Sequence, residues 1–90
     1  MAQLDKDPNA TLDYSFDWGP YLTPLLDTIT SVAWVVTPGL TVVSQSNTDT
    51  TATAFVSGGV LDTDEILTCR VTTAGGRIDD RSVTLVITNR

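Results

Sequence analysis

The run from Thr72 to Ile87, Thr-Thr-Ala-Gly-Gly-Arg-Ile-Asp-Asp-Arg-Ser-Val-Thr-Leu-Val-Ile, constrains the fold more than any other part of the chain. Leading into it, Leu67, Cys69 and Val71 alternate with Thr68, Arg70 and Thr72. Toward its end Val83, Leu85 and Ile87 alternate with Ser82, Thr84 and nearby Thr88. A period of two marks strands with one buried face. Between them Gly75-Gly76 supplies residues that tolerate the positive φ of a tight turn. The chain is therefore expected to end in a β-hairpin.

The same period recurs upstream. Leu12, Tyr14, Phe16 and Trp18 alternate with Asp13, Ser15 and Asp17, a one-sided strand whose aromatic face must be covered. Gly19-Pro20 stops it, and Pro24 keeps the next segment irregular, with Leu25 and Leu26 placed to plug the end of a sandwich or form one helical turn. From Ile29 to Val36, Val32, Trp34 and Val36 share one face and Ala33 and Val35 the other, so this strand is expected at the centre of a sheet. Thr37-Pro38-Gly39 turns into a strand over Leu40 to Ser46, and Gln45 to Thr50 turns into Thr51 to Ser57. There Ala52, Ala54 and Val56 are expected in the core and Phe55 outside. Gly58-Gly59 and the acidic stretch Val60 to Asp64 connect to the final hairpin. Six or seven strands with turns every 8 to 12 residues or so predict an all-β, immunoglobulin-like β-sandwich of antiparallel strands over residues 11–90. Residues 1–10, polar and holding Pro8, are expected as an extended N-terminal arm. No internal repeat is evident.

Ninety residues allow one core, and 16 Thr with 10 Val favour pleated strands over helix. Charge is uneven. Residues 1–69 hold nine acids and one base, Lys6, whereas residues 70–90 hold two acids and four arginines. An acidic body repels phosphate, and four arginines do not make a continuous basic groove, so nucleic-acid binding is not expected. A lone cysteine, Cys69, excludes an internal disulfide and reads as a small buried apolar residue. The N-terminus lacks a basic region followed by an apolar run, and no segment approaches the ~18 apolar residues of a membrane span, so the chain is expected to be made in the cytosol and to stay soluble.

With no histidine, the usual general base, the commonest transition-metal ligand and the Ser-His and Cys-His pairs are missing. Paired carboxylates can hydrolyse without histidine, but these acids lie on strand faces and in turns, where nothing separates their pKa values. No catalytic residue, cofactor site or metal site is expected. Asp62-Thr63-Asp64-Glu65 offers oxygens for calcium but lacks the glycine and spacing of an EF-hand, so a solvated acidic turn is the preferred reading. Asp79-Asp80 beside Arg77 and Arg81 reads as a mixed-charge strand start. Asn9-Ala10-Thr11 matches the glycosylation sequon by chance. Gly75-Gly76-Arg77 has no following helix and is a turn, not a phosphate loop. Trp18 and Trp34 sit on alternating apolar strands and read as core.

Several segments in order resemble a family of small bacteriophage virion proteins known as fiber-tail adaptor proteins, with an immunoglobulin-like fold. They are Lys6-Asp7-Pro8, Leu12-Asp13-Tyr14, Asp17-Trp18, Asp27-Thr28-Ile29, Trp34, Gly39-Leu40-Thr41-Val42, Ser57-Gly58-Gly59, Thr72-Thr73-Ala74-Gly75-Gly76-Arg77 and Asp80-Arg81-Ser82. Two departures stand out. Leu26 occupies the position before Asp27 where the pattern has glycine, and Val60-Leu61-Asp62-Thr63-Asp64 replaces a glycine-rich connection.

The resemblance implies a non-enzymatic virion structural protein, present in multiple copies, that joins a tail fiber or appendage to the tail or baseplate. A capsid decoration protein on the major capsid protein is the first alternative, and a host-surface or glycan-binding module the second. Candidate contacts are Leu4 and Pro8 in the arm, Tyr21 and Leu25 in the irregular segment, Phe55 on an outer face and Arg77 at the hairpin tip.

Overall fold

The computed structural model describes residues 2–89, and among these seven strands stack in two layers. The strands are β1 (Ala2–Lys6), β2 (Leu12–Asp17), β3 (Ile29–Val36), β4 (Leu40–Asn47), β5 (Thr51–Gly58), β6 (Asp64–Thr73) and β7 (Ile78–Ile87). One sheet runs β1-β7-β6-β3 and the other β2-β5-β4. Sequential strands β2 to β7 thus distribute as B-E-D against G-F-C, the arrangement of an immunoglobulin sandwich. Where such domains place a tryptophan against a disulfide, Trp34 stands opposite Cys69 in register and packs on Phe16, ring centroids 5.8 Å apart.

The expected core is observed. Ala52, Ala54 and Val56 from β5, Leu67, Cys69 and Val71 from β6, and Val83, Leu85 and Ile87 from β7 are buried between the layers. Burial pushes the Cys69 thiol up to about 11, as befits a small apolar filler. The final hairpin closes through Ala74 to Arg77, with Gly76 alone at positive φ (86°). Gly75 is needed for a different reason: a Cβ there would stand 2.6 Å from Arg77 Nη1 and 2.9 Å from Asp27 Oδ2.

Three local expectations are corrected. β3 is an edge strand, because among the described residues no strand flanks it opposite β6; its second face, with Ala33 and Val35, is exposed as well. Apolar residues on both faces are therefore not a sign of a central position here. Of the two roles open to Leu25 and Leu26, the helical turn is the one observed, since α1 (Gly19–Leu22) is followed by a 3-10 turn at Thr23–Leu25, and only the plugging role is corrected. The residue that plugs the sandwich end is Leu22, fully buried, while Leu25 and Leu26 face solvent. Finally, Ala2–Lys6 does not stand off as an arm but pairs parallel to β7, Lys6 opposite Ile87. The physical reason is Lys6, whose side chain is fully buried and satisfied by backbone oxygens at the end of the sandwich.

Candidate binding surfaces

One end of the sandwich gathers the β2–β3 connection, the β4–β5 turn and the β6–β7 turn. Backbone bonds lace them together: Trp18 N–H donates to Thr50 O, Ile29 N–H to Asp49 O and Ala74 N–H to Thr28 O. Asp27 locks the remaining freedom. Its Oδ1 accepts from the amides of Thr28 and Gly75, both at 2.9 Å, and its Oδ2 accepts from Arg77 Nη1 at 2.8 Å. The Thr73 hydroxyl, foremost, and these backbone and guanidinium donors hold the Asp27 carboxyl down at about 2, outweighing the opposing effect of burial.

The 3-10 turn ends in a Schellman motif: Asp27 N–H donates to Leu22 O and Leu26 N–H to Thr23 O. The motif requires a left-handed residue, and Leu26 occupies it at φ 52°, ψ 40°. This gives a backbone reason for the glycine that the resemblance leads one to expect there. Leu26 is 93% exposed and Leu25 42%, so two leucines project side by side from a rigid base.

The opposite end is fixed by two buried charges. Lys6 Nζ donates to the carbonyls of Asp7 (3.0 Å), Ala10 (2.6 Å) and Gly58 (2.6 Å), tying β1 and the following loop to the end of β5. Burial lowers its pKa, with the charge of Asp7 opposing. Glu65 turns inward and its carboxylate accepts from the Thr37 hydroxyl and the Val60 amide, while the Thr63 hydroxyl donates to Val60 O. A Cβ on Gly39 would collide with that carboxylate, which is why Gly39 precedes buried Leu40. Of the stretch weighed above for calcium, Glu65 is thus committed to internal bonds. Among the described residues no group of three or more His, Cys, Asp or Glu side chains is placed to hold a metal.

The candidate contacts do not form one patch. Tyr21, Leu25 and Arg77 lie at the end organised by Asp27. Tyr21 is half-buried, its ring centroid 6.2 Å from that of Trp18, and Arg77 is drawn back by Asp27. Leu4 lines an open slot of about 330 Å³ between β1, β2 and β7, with Tyr14, Phe16 and Val83. Pro8 is half-buried in the loop that Lys6 organises. Phe55 stands 44% exposed on the outer face of the three-stranded sheet, between Asp13 and Ser44 in register. The described arginines are engaged within the fold: Arg70 with Asp80, Arg77 with Asp27, and Arg81 over the Trp18 ring at 4.2 Å with a bond to Asp17 O. Lys6, Asp27 and Glu65, which frame the two ends, were not among the expected site residues, whereas Leu26 was marked as a departure from the family pattern. Lys6 had a signal, as the one base in the otherwise acidic residues 1–69.

Residues 6–86 match the family described as podophage GP4 fiber-tail adaptor protein gp77. The chain belongs to this family. Its role is accordingly that of a structural adaptor of the phage tail, interacting with other tail proteins of the virion. No curated protein matches the chain.

Proposed function

We propose that this fiber-tail adaptor joins a fiber or appendage to the tail or baseplate, in several copies, with the Leu25-Leu26 tip as its principal contact. The observation that carries this reading is Leu26: an almost fully exposed leucine in a left-handed conformation that glycine would adopt without strain. The strain opposes stability of the isolated chain, and the exposed side chain gains apolar burial to offset it if the tip inserts into an apolar pocket of a neighbour. Phe55, and Leu4 with Pro8 on the β1 side, supply secondary contacts to a second neighbour. An adaptor needs at least two such surfaces, and these lie on different sides of the sandwich.

Of the two rings that the glycan-binding alternative could present, Trp18 is fully buried and Tyr21 half-buried, so that reading finds less support than the apolar tip. The test is reconstitution with purified tail and fiber proteins. Leu25→Ser with Leu26→Ser should abolish binding to one partner while the domain stays folded, and Phe55→Ala should weaken binding to another. Unchanged binding of both variants to both partners removes these contacts from consideration.

A further inference from the structure

The charged residues are segregated in space. From Thr28 to Thr48 no residue is charged, although the whole chain carries 16 charged residues and a net −6. This segment contains β3 and β4, which are the edges of their respective sheets on the same side of the sandwich. The other side, formed by edges β1 and β2, carries Asp5, Lys6, Asp13 and Asp17. Soluble proteins guard sheet edges with charge, proline or bulges, because an unguarded edge is a template for another strand.

Of the two unguarded edges, β4 is broken by a register shift between Val42 and Ser44, whereas the irregularity in β3 lies at its start, between Ile29 and Ser31. That leaves Ser31–Val36, Ser-Val-Ala-Trp-Val-Val, as a regular run rich in β-formers, with no charge and no proline. Its hydrogen-bonding phase is fixed by Thr37 N–H, which donates to Ile66 O. Pairs alternate along an antiparallel ladder, so Ser31, Ala33 and Val35 bond to β6 while the N–H and C=O groups of Val32, Trp34 and Val36 point to the open edge.

We propose that β3 pairs antiparallel with β3 of a second copy, about a two-fold axis at Ala33, joining two four-stranded sheets into one of eight. In this register Val32 bonds with Trp34 of the second copy. Ala33 faces its own counterpart, and Ser31 faces Val35, both as non-hydrogen-bonded pairs whose side chains lie close. Charge selects the second copy as the occupant. Two acidic chains approach with least repulsion where both are uncharged, while a basic partner would find its counter-charges on the β1–β2 side. The side chains on the outer face here, Ser31, Ala33 and Val35, are small enough to admit a neighbouring strand without repacking. One strand edge falls short of the roughly 1,200 Å² that a stable specific interface buries, so the pairing is weak between free chains and effective when copies are held side by side. It needs no other virion protein and stands apart from the adaptor reading.

Disulfide trapping tests it, since Cys69 is buried and does not compete. Under mild oxidation Ala33→Cys should form a covalent dimer at least about ten-fold faster than Ser15→Cys on the β2 side, a geometry close non-hydrogen-bonded pairs permit. Ser31→Cys should link to Val35→Cys but not to itself. On the unaltered chain, raising concentration should slow amide exchange at Val32, Trp34 and Val36 and leave β4 amides unchanged. Ala33→Cys linking no faster than the control, Ser31→Cys self-linking as readily as it links to Val35→Cys, or β3 amides exchanging at the same rate at all concentrations would each overturn the pairing.

Discussion

Replacing Leu26 by glycine separates what the tip does for the fold from what it does for binding. In the isolated domain the leucine side chain is 93% exposed, so its removal forfeits almost no buried area. Its backbone sits at φ 52°, ψ 40°, where an L-residue is disfavoured by about 1–2 kcal/mol. Glycine returns roughly 0.5–1 kcal/mol of this through its greater freedom in the unfolded chain. The net gain is about 0.5–1 kcal/mol, which for a domain of this size raises Tm by about 3–6 °C. Both Schellman bonds, from Asp27 N–H and Leu26 N–H, involve backbone only and survive the change. Leu26→Ala is the matched control: it keeps the strain, removes the apolar side chain and should leave Tm where it is. Calorimetry on the three proteins gives the order Gly above Leu and Ala, and a partner-binding assay gives Leu above both variants. A Leu26→Gly protein that melts at or below the original, or an alanine variant as stable as the glycine one, would refute the argument that backbone strain at this residue is retained for binding.

Lys6→Met should cost about 2–3 kcal/mol in urea unfolding, because the carbonyls of Asp7, Ala10 and Gly58 lose a charged donor, and amide exchange in β1 should rise most. Deleting residues 1–10 should accordingly destabilise the domain rather than merely impair assembly. Gly39→Ala should cost about 2–3 kcal/mol by the same assay, since its Cβ meets the Glu65 carboxylate and displaces the bonds from Thr37 and Val60. Asp27 has its folded pKa lowered from 3.8 to about 2, so its contribution to stability is complete above 3.8 and is lost as pH falls toward 2. Asp27→Asn should therefore be less stable than the original at neutral pH but lose less stability across that window, as read from unfolding curves at stepped pH.

What could be read from the residues was what one strand's own alternation encodes. The hairpin, the inward sets on β5, β6 and β7, the outward Phe55 and the buried thiol all follow from a period of two, which side-chain hydrophobicity displays directly. Misreadings arose where long-range partners decide. Val35 and Ala33 suggested a strand covered on both faces, yet whether a neighbour lies beside β3 depends on chain topology, which a local pattern does not record. Residues 1–10 looked unanchored because they are polar and hold Pro8, and a lysine among them is normally a surface residue. Here two nearby carbonyls, Asp7 and Ala10, and a third that is distant in sequence, Gly58, converge on it only after the sandwich has formed. Leu26 was legible as a departure from a pattern, but its meaning needed the Schellman geometry that makes a glycine position of it.

The way charge is used inside the fold decides how the adaptor meets its partners. Arg70, Arg77 and Arg81 are each turned to a carboxylate, a carbonyl or a ring of their own chain, and Lys6 is enclosed, so few cations remain to bind an acidic neighbour. The projecting groups are instead Leu25, Leu26 and Phe55, together with the uncharged β3–β4 side. Contacts of this kind gain their free energy from apolar burial and backbone pairing, neither of which is screened over the roughly 8 Å Debye length of physiological salt. Affinity for tail partners should thus hold or rise as salt is increased, because screening relieves repulsion between a net −6 chain and its neighbours. Dissociation by moderate salt, measured on the reconstituted complex, would place the binding energy in the acidic surface and not in the tip.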